Sequence, residues 1–559
     1  MRLAQELKRV VGGDVLDDEK TLQTYSRDAS LFVVHPKIVV SPKNSEDIKA
    51  LVKFVSKNNG SANLKRAKGQ IPNHKLLSLT ARAAGTCMSG GPLTESIVVN
   101  FMKYFTKIRS IHDHNATVEP GVFYRDLEKE TLKYGLLFPP YPASKSICAV
   151  GGIVNNNAGG EKTLKYGKTE NYVEKLKMVL SDGNEYEFLP LDAAGLRKKL
   201  KQKNFEGEIY QRMHKLVTKN HKLITSAKPD VTKNSAGYQL WNIWDKKEKI
   251  FDLSRIFIGA QGTLGLMTEA TLHLIPIKKH ARMVVIFLKD IKKLSDLVPI
   301  ILKHDPESFE TYDDNTLKLA IKFFPSFAKL MGVKNLWKIA WSFLPEFWMT
   351  VTGGLPKLIL QVEFVGDDAP TLDNRVAELV RALQPYDVKI RAPKTQFGAQ
   401  KYWTIRRESF NLLRHHIKDR HTAPFIDDFA IKAERLPDFL PELDKILEKY
   451  NLIYTIAGHV GDGNLHIIPL MNLGNESERK IIPELSRKVY ELVMKYGGTT
   501  TGEHNDGLIR SYYLKQMYGE KVYKLFEEVK KIFDPLNIFN PGKKVHASLE
   551  YAMEHVRRD

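Results

Sequence analysis

Cysteine is scarce in this chain, and its scarcity excludes several kinds of site. The 559 residues include two cysteines, Cys87 and Cys148. Two thiols cannot form a disulfide framework, hold an iron–sulfur cluster or build a cysteine-rich zinc site, and they indicate a reducing compartment. Redox chemistry in this protein would therefore need a bound organic cofactor, or a metal held by histidine and carboxylate side chains.

Long apolar runs are also missing. The opening residues, MRLAQELKRVVGG, contain no apolar stretch of signal-peptide length. The most apolar region, residues 336–360, is interrupted by Pro345, Glu346 and a Gly-Gly pair, and it falls short of a spanning helix. We therefore predict neither secretion nor a transmembrane segment, and we expect a cytoplasmic protein.

Acidic residues are outnumbered by basic ones. The formal net charge is +20, and a basic surface attracts nucleic-acid phosphates and anionic lipids through the same long-range field. The lysines are scattered, and the sequence has no zinc finger, RNP aromatic motif or helix-turn-helix pattern. We predict no nucleic-acid partner. Peripheral contact with an anionic membrane surface, at its inner face, fits the charge better.

The length of the chain predicts more than one domain, because 559 residues exceed what a single core usually supports. Strands alternate with glycine-rich turns in the first half, after a helix predicted from Ser45 to Gly60. Strand–helix units then repeat, which predicts a second, α+β domain. The predicted divisions are a helical lead-in (1–30), a first domain (31–276), a cap domain (277–500) and a C-terminal segment (501–559).

Three glycine-rich stretches stand out in the first half: Ala84–Gly91, Gly151–Gly160 and Gly259–Gly265. Glycine lets backbone N–H groups converge on an anion where a side chain would obstruct them. One such loop is weak evidence, since it is often only a turn, but three in order favour a dinucleotide held by its pyrophosphate. None has the G-x-G-x-x-G or G-x-x-x-x-G-K-[ST] pattern, which disfavours a Rossmann fold and a P-loop.

Five motifs in order resemble a known family: TARAAGTCMSGG, PASKSICAVGGIVNNNAGG, KYGKTENYVEKLKMVLSDG, NSAGYQL and FIGAQGTLGLMTEATLHLIP. They look like the FAD-binding domain of the vanillyl-alcohol oxidase-type, or PCMH-type, flavoproteins, in the branch of D-lactate, glycolate and D-2-hydroxyglutarate dehydrogenases. The resemblance implies an α+β chain. Its parts would be a two-subdomain PCMH-type FAD-binding domain, a cap with a ferredoxin-like antiparallel sheet, and a C-terminal return to the FAD domain.

The resemblance also implies which residues contact FAD. They are Arg82, Gly85, Thr86, Ser89, Gly90 and Gly91 in the first loop, Pro142, Gly151, Gly152, Asn157, Gly160, Thr169 and Val173 around the second, and Gly262, Gly265 and Asn540 later in the chain. Two residues depart from the family pattern: Ala83 replaces a glycine, and Gln261 replaces a glutamate. Thr86 stands where members with covalently attached FAD carry histidine, so we expect FAD to be bound non-covalently.

The stretch GHVGDGNLH places His459 and His466 on either side of a Gly-Asp-Gly turn. Alone, the pair is ambiguous, because a lone buried histidine is usually a hydrogen-bonded core residue. The stretch TGEHNDG adds Glu503 and His504, and two imidazoles with one carboxylate suit a catalytic divalent metal with an open position, such as Zn²⁺. The family resemblance implies the same metal ligands: His459, His466 and Glu503.

A metal would help to oxidise a 2-hydroxy acid by lowering the pKa of its hydroxyl and fixing the alkoxide. We predict that His504 takes the hydroxyl proton, since imidazole titrates near neutral pH.

In YWTIRRESF, the resemblance implies that Arg406 binds the substrate carboxylate. The alternative is that these arginines lie on a solvated helix face, which is favoured more for Arg407 than for Arg406. Ile426 and Ile468 replace a lysine and an asparagine of relatives that bind longer diacids, which favours a small monocarboxylate.

The resulting hypothesis is an FAD-dependent dehydrogenase that oxidises a D-2-hydroxy acid, D-lactate above others, to the 2-oxo acid and passes hydride to flavin N5. The alternatives are a glycolate or D-2-hydroxyglutarate dehydrogenase, an alkyl-ether-lipid synthase-like flavoenzyme, and a flavin module without turnover. The sequence has no haem or cluster motif, so the electrons would pass to quinone or to a protein acceptor. Residues 320–357 are rich in aromatic residues and lysines, and membrane-interface contact and packing inside the cap are both open.

Overall fold

The structure is a computed structural model that describes residues 2–67, 76–314, 316–318, 355–416 and 420–559, with side chains other than those of residues 2, 61–67, 396 and 408–416. Strands and helices alternate throughout these ranges. In the first half the strands are β1 (Asp14–Leu16), β2 (Ile38–Ser41), β3 (Leu79–Arg82), β4 (Ile97–Asn100), β5 (Ile108–His112), β6 (Asn115–Val118), β7 (Leu136–Leu137), β8 (Val173–Val179), β9 (Glu185–Phe188), β10 (Trp244–Asp245), β11 (Ile250–Phe251), β12 (Leu266–His273) and β13 (Ile275–Pro276). The helices of this half are α1 (Arg2–Lys8), α2 (Glu19–Tyr25), α3 (Ser45–Ala67), α4 (Tyr124–Leu132), α5 (Val150–Asn156), α6 (Thr163–Tyr166), α7 (Ala193–Leu200), α8 (Phe205–Lys219), α9 (His221–Ser226) and α10 (Ser254–Phe257).

The second half contains the cap and the C-terminal segment. Its strands are β14 (His280–Leu288), β15 (Ser308–Asp313), β16 (Leu358–Gly366), β17 (Lys389–Arg391), β18 (His421–Thr422), β19 (Phe429–Ala430), β20 (Ile453–His459) and β21 (Asn464–Met471). Its helices are α11 (Leu294–Lys303), α12 (Ala369–Leu383), α13 (Gln396–His416), α14 (Leu436–Leu447), α15 (Glu476–Lys495), α16 (Gly507–Arg510), α17 (Leu514–Phe533, interrupted at Gly519) and α18 (Leu549–Glu554).

Two sheets of the first half lie next to the first and third glycine-rich stretches. The first sheet has the order β1-β2-β4-β3, with β4 parallel to both of its neighbours, and every residue of β2 and β4 is buried. Strands buried on both faces are typical of parallel sheets. The second sheet is antiparallel, with the order β5-β6-β12-β8-β9. The first glycine loop follows β3 and the third precedes β12, so each loop lies at the end of a sheet strand.

Helix α3 corrects one sequence prediction. It begins at Ser45 as expected, but it continues past Gly60 to Ala67. Glycine lowers helix propensity by about 1 kcal/mol relative to alanine and does not by itself end a helix. The apolar side chains of the first turns, Ile48, Leu51 and Val55, are fully buried, and this packing holds the helix through the glycine.

The second glycine stretch is also different from the prediction. Residues 150–156 form helix α5 rather than a loop. A Cβ at Gly151 would lie 2.8 Å from the backbone oxygen of Pro120, so glycine is required here for close packing. The helix ends at Asn157, which is in the left-handed conformation with φ of 49°.

The cap is built on an antiparallel sheet with the order β17-β14-β16-β15-β20-β21-β18, in which β19 also pairs with β21. The run β14-α11-β15-β16-α12-β17 gives the strand order fourth, first, third, second, which is the ferredoxin-like arrangement. The α+β class and the ferredoxin-like antiparallel cap are therefore confirmed. The hairpin of β20 and β21 extends this sheet and carries GHVGDGNLH.

The C-terminal segment returns to the first sheet. The backbone N–H of Leu79 donates to the oxygen of Ile538, and the N–H of Asn540 donates to the oxygen of Leu79. Ile538 and Phe539 are fully buried in the same hydrophobic cluster as Leu79. This return brings Asn540 beside the first and third glycine loops. The exact domain limits stay a prediction.

Candidate functional site

A cavity of about 830 Å³ lies between the glycine stretches and the cap. This volume is in the upper part of the range for small-molecule and cofactor sites. One part of its wall comes from residues within the ranges 27–29, 81–92, 142–159 and 261–267, with Phe101 and Pro120. The other part is formed by Arg406, Arg407, Thr455, Ala457, His459, His466, Ile468, Glu503 and His504. The glycine stretches and the predicted chemical groups therefore share one cavity.

The predicted FAD contacts divide into two sets. Those that line the cavity are Arg82, Gly85, Thr86, Gly91, Pro142, Gly151, Gly152, Gly262 and Gly265. The others are not part of its wall: Ser89, Gly90, Asn157, Gly160, Thr169, Val173 and Asn540. The backbone around the cavity fits an elongated dinucleotide, because glycines at these positions leave the main chain accessible.

Several residues of the second set hold the wall in place. The Asn540 amide donates to the backbone oxygens of Gly91 (3.0 Å) and Gln261 (2.8 Å). The Gln261 amide donates to Ser89 Oγ at 3.3 Å and accepts from the Gly507 N–H at 2.8 Å. The first and third loops are thus fastened to each other by side-chain amides, and Gln261 needs both its donor and its acceptor.

Arg82 also has a structural task. Its guanidinium donates to the backbone oxygens of Tyr25 and Arg27, which lie between β1 and β2 of the first sheet. Gly85 has a φ of 72°, and a Cβ there would lie 2.6 Å from Arg82 Nη2. Glycine is therefore required at position 85 by both conformation and space.

The hairpin of β20 and β21 places alternate side chains on the cavity face. In the register, Ala457 lies opposite His466 and His459 lies opposite Asn464, so the two histidines are diagonal neighbours on one face. The turn between them ends at Gly463, which has a φ of 64°. A Cβ at Gly463 would lie 1.9 Å from the Ile431 oxygen. The glycine of this motif is required for a turn that brings the histidines together.

Three imidazoles converge on one carboxylate oxygen. The distances from Glu503 Oε1 to Nε2 are 3.3 Å for His459, 3.4 Å for His466 and 3.8 Å for His504. The other oxygen, Oε2, accepts from Nζ of the fully buried Lys233 at 2.9 Å. The cap hairpin and the segment after residue 500 therefore build one cluster, and Glu503 has one oxygen facing the histidines.

Carboxylates orient each of the three imidazoles. Nδ1 of His459 lies 2.6 Å from Glu310, while Nδ1 of His466 and of His504 lie 2.9 and 2.6 Å from the two oxygens of Asp427. An ionised carboxylate only accepts hydrogen bonds, so each Nδ1 carries a hydrogen, and Nε2 is the ring nitrogen that faces Glu503. Such carboxylate-held histidines are typical of metal sites.

The charges of the cluster favour a bound cation. Burial opposes ionisation of Asp427 and Glu503, but the facing histidines, with Lys233 beside Glu503, hold the pKa of both carboxyls below the usual range. Burial disfavours the His466 imidazolium, yet Asp427 and Glu503 raise the pKa of this histidine to about 10. The cluster thus attracts positive charge, as protons or as a metal ion, and the set of nitrogen and oxygen donors fits a divalent metal.

Asp428 lies close to the same cluster, and one ligand atom each of Asp428, His466, Glu503 and His504 lie within 4.8 Å of one another. The Asp428 oxygens already accept from Thr501 Oγ1 and from the backbone N–H groups of Glu503 and His504. Asp428 therefore fixes the 501–504 segment. Within this cluster, the residues that line the cavity and could bind a metal are therefore the three histidines and Glu503.

The two arginines of α13 have different partners. Nη2 of Arg406 lies 3.0 Å from Glu310 Oε2, so Glu310 contacts both this arginine and His459. Arg407 instead forms a two-pronged ion pair with Glu161, at 3.0 and 2.5 Å, and lies over the Trp403 ring. Arg407 thereby connects the cap to the first half of the chain.

Sequence reasoning missed Glu310 and Asp427 as orienting groups and Lys233 as the partner of Glu503. A usable signal was present, because all three are charged residues at fully or nearly fully buried positions, and a buried charge is costly unless it is paired. The reasoning on Ile426 was wrong: Ile426 lies in the cap core, fully buried, and is not part of the cavity wall, whereas Ile468 is.

The prediction for residues 320–357 falls almost entirely on residues 319–354, which lie outside the described residues. Within the part of the chain that the structure describes, no helix has the length and apolar character to cross a membrane.

Comparison with known proteins identifies two protein-family domains in this chain. Residues 36–188 match an FAD binding domain, and residues 277–544 match the C-terminal domain of FAD linked oxidases. The chain is 28% identical over 538 residues to a D-2-hydroxyglutarate dehydrogenase of Pseudomonas putida, an alignment that covers 95% of the chain and 50% of that relative. The chain thus spans about half the length of the first relatives it matches.

Other relatives match along nearly their whole length. Identity is 26% over 549 residues to glycolate oxidase subunit GlcD of Bacillus subtilis, with 96% of each chain covered. It is 25% over 511 residues to a D-lactate dehydrogenase of Archaeoglobus fulgidus, with 91% of each covered.

Solved structures are similar in fold. The 4-ethylphenol oxidase from Gulosibacter chungangensis has a TM-score of 0.67 at 14% identity, with 97% of this chain and 96% of that one covered. An alkyldihydroxyacetonephosphate synthase has a TM-score of 0.64 at 15% identity, with coverages of 97% and 84%. At these identities the likeness is evidence about the fold alone.

Proposed function

Because this chain belongs to the FAD-linked oxidases and has their PCMH-type FAD-binding fold, as its sequence motifs predict, we propose that it oxidises a D-2-hydroxy acid, D-lactate above others, to the 2-oxo acid. The observation that carries this proposal is the convergence of three imidazoles on Glu503 at the wall of the cavity that the glycine stretches line. The names of the relatives, which include D-lactate, glycolate and D-2-hydroxyglutarate enzymes, support the substrate class.

Two bound groups fit the cavity in this proposal. FAD, held non-covalently against the glycine stretches, supplies the hydride acceptor at flavin N5. A divalent metal, Zn²⁺ in our proposal, would be held by His459, His466 and Glu503 and supplies a Lewis acid for the substrate hydroxyl. Lys233 supports this set, since it occupies Glu503 Oε2 and leaves Oε1 for the metal.

The chain's own residues bind the substrate and move a proton. Arg406 lines the cavity and offers a planar guanidinium to the substrate carboxylate. His504 is the proposed base, and it takes the hydroxyl proton on Nε2, because Nδ1 already donates to Asp427. The His504 side chain is 22% exposed, compared with 5% for His459 and 11% for His466, and this access supports the base role.

The wall near the histidines favours a small substrate. Ile468 lies opposite Thr455 in the hairpin register, and both line the cavity beside Ala457. A second carboxylate, such as that of 2-hydroxyglutarate, would need another cation. Arg407 is committed to Glu161 by two hydrogen bonds. These contacts support a monocarboxylate such as D-lactate over a diacid.

For reoxidation we propose that electrons pass to quinone, with a protein acceptor as the alternative, at the inner face of an anionic membrane. The support is the net charge of +20 and the aromatic and lysine content of residues 320–357. Co-sedimentation with anionic vesicles, with and without this segment, is the test. We expect binding that depends on the segment, and equal binding would contradict the membrane proposal.

The main experiment mixes the FAD-loaded protein with a panel of D- and L-2-hydroxy acids without oxygen and follows bleaching of the flavin absorbance. We expect D-lactate to bleach the flavin fastest and the L-acids not to bleach it.

An Arg406→Lys variant should lose about ten- to a hundredfold in kcat/KM, because lysine cannot form the planar two-pronged contact. No bleaching by any acid would refute the proposal, and fastest bleaching by D-2-hydroxyglutarate would refute the choice of D-lactate.

A further inference from the structure

The start of the NSAGYQL motif, with the two residues before it, contacts both parts of the histidine cluster. Thr232 Oγ1 donates to the backbone oxygen of Asp462, in the turn of the cap hairpin, at 3.1 Å. On the other side, the backbone N–H of Ser235 donates to the oxygen of Thr501 at 3.0 Å. A segment from the first half of the chain therefore supports both the hairpin turn and the segment after residue 500.

Lys233 lies between these two contacts, and its side chain is fully buried. Its Nζ donates to Glu503 Oε2 at 2.9 Å, to the Gly160 oxygen at 3.2 Å and to Asn464 Oδ1 at 3.4 Å. An ammonium group has three hydrogens to donate and no lone pair. All three hydrogens thus have acceptors in the chain, so Lys233 acts on the site through Glu503 rather than through a contact with substrate.

A second buried lysine, Lys530, also pairs with a carboxylate, but the two pairs differ at the second oxygen. Lys530 Nζ lies 2.6 Å from Asp534 Oδ2. Asp534 Oδ1 accepts from the backbone N–H of Ile538 at 2.9 Å, so both Asp534 oxygens are used by the chain itself. Within the described residues, the recorded contacts of Glu503 Oε1 are the Nε2 atoms of the three histidines. The pair at Glu503 therefore leaves one oxygen for an ion that the histidines share.

The spacing around this oxygen fits a metal bound by one carboxylate oxygen. Ligand atoms held at about 2.0 to 2.1 Å by a tetrahedral metal lie about 3.3 to 3.4 Å from one another. Glu503 Oε1 lies 3.3 Å from His459 Nε2 and 3.4 Å from His466 Nε2. Binding through both oxygens would require Oε2 to give up the ammonium of Lys233, which has no water to replace its partner because it is fully buried.

We propose that Lys233 is a positioning residue that limits Glu503 to one metal-binding oxygen and thereby favours Zn²⁺ and Co²⁺ over Mn²⁺ and Mg²⁺. The latter two ions prefer about six ligands, mostly oxygens, whereas four nitrogen and oxygen ligands satisfy Zn²⁺. Withholding one carboxylate oxygen therefore weakens Mn²⁺ binding more than Zn²⁺ binding. The inference rests on the proposed function in that a divalent metal binds to the histidine cluster.

The test is competition for Zn²⁺ and, separately, for Mn²⁺ between the metal-free protein and a chelator. Lys233→Met keeps an unbranched side chain but has no ammonium, so Oε2 becomes free to bind the metal. We expect the ratio of the Kd for Mn²⁺ to the Kd for Zn²⁺ to fall about tenfold or more. In the Co²⁺-loaded variant, the visible d–d absorption should weaken, because an added oxygen ligand moves the ion away from tetrahedral geometry.

Lys530→Met is the matched control, since it also removes a buried ammonium from a carboxylate. Its Kd ratio and its Co²⁺ spectrum should equal those of the wild type. An unchanged ratio in Lys233→Met would overturn the inference. The same fall in Lys530→Met would also overturn it, because the effect would then come from a general loosening of the fold.

A measurement on the wild-type protein covers the case in which Lys233→Met does not fold. X-ray absorption at the zinc edge of the FAD-loaded, zinc-loaded protein should show a carboxylate bound through one oxygen. Binding through both oxygens would overturn the inference alone, and bleaching of the flavin by D-lactate would still support the proposed function. Failure of the wild type to bind any divalent metal would overturn both the inference and the metal site of the proposed function.

Discussion

Glu310 contacts both the arginine proposed to bind substrate and a histidine proposed to bind metal, so a single change there should disturb both. Oε1 lies 2.6 Å from His459 Nδ1 and Oε2 lies 3.0 Å from Arg406 Nη2. Glu310→Gln keeps the shape of the side chain. It removes the negative charge that makes His459 a stronger metal ligand, and it removes one anionic partner of the Arg406 guanidinium.

The size of the effect follows from the role of such orienting carboxylates. Their replacement typically weakens metal affinity about 10- to 100-fold, which corresponds to about 1.4 to 2.7 kcal/mol. The ion pair with Arg406 is almost fully buried, with the side chains 11% and 2% exposed, so losing its anion should also increase KM for the hydroxy acid. At saturating metal we therefore expect kcat/KM to fall through the higher KM, separately from the loss of metal affinity.

The assay is competition for Zn²⁺ between the metal-free protein and a chromogenic chelator, followed by steady-state kinetics at saturating metal.

Glu363→Gln is the matched control. Glu363 is half-buried on the neighbouring strand β16 and accepts from Nε1 of Trp403, on helix α13, at 3.0 Å. Desolvation and the nearby Glu307 raise its pKa to about 7. It does not contact the histidines, so metal affinity should stay unchanged. Equal metal affinity in wild type and Glu310→Gln would refute the reasoning.

Three further changes test other parts of the structure. His466→Ala should abolish turnover while the protein keeps its yellow FAD; loss of flavin absorbance instead would mean that the histidine maintains the fold. Gly463→Ala should lower the melting temperature and the metal content, because its Cβ would lie 1.9 Å from the Ile431 oxygen; unchanged melting would contradict this. Burial opposes ionisation of Glu161, but Arg407 outweighs it and lowers the pKa to about 2 from 4.5, so this pair stabilises the fold above about pH 4.5 and is lost as the pH falls toward 2. In melting curves across that range, Glu161→Gln should flatten the acid dependence, and an unchanged slope would count against the pair.

The cofactor half was predictable from sequence because its requirements are local. Glycine at positions such as 85 is dictated by a positive φ and by the lack of room for a Cβ, and both leave a readable trace in the sequence. The histidine pair was predictable for a similar reason, since a short hairpin turn keeps His459 and His466 within seven residues. Helix α5 was mistaken for a loop because Gly151 serves close packing on Pro120, which the sequence alone does not reveal.

The supporting charges depend on register and could not be predicted. Glu310 precedes Thr311, which lies opposite Gly458 in the sheet, and this pairing alone brings the carboxylate to His459. A shift of one residue would turn Glu310 to the other face. Asp427 and Lys233 likewise reach the cluster from segments distant in sequence. Ile426 was used from the sequence as an indication of substrate size, but its side chain lies in the cap core.

The backbone pairing of residues 538–540 with Leu79 has a consequence for the order of events during translation. The amide that joins Gly91 to Gln261 comes from Asn540, so this link between the two loops can form only after the ribosome has made the whole cap and the segment behind it. A nascent chain that carries both loops but not residue 540 lacks these two hydrogen bonds behind the cofactor wall. Flavin loading should therefore be post-translational, and a chain stalled before residue 540 should emerge colourless.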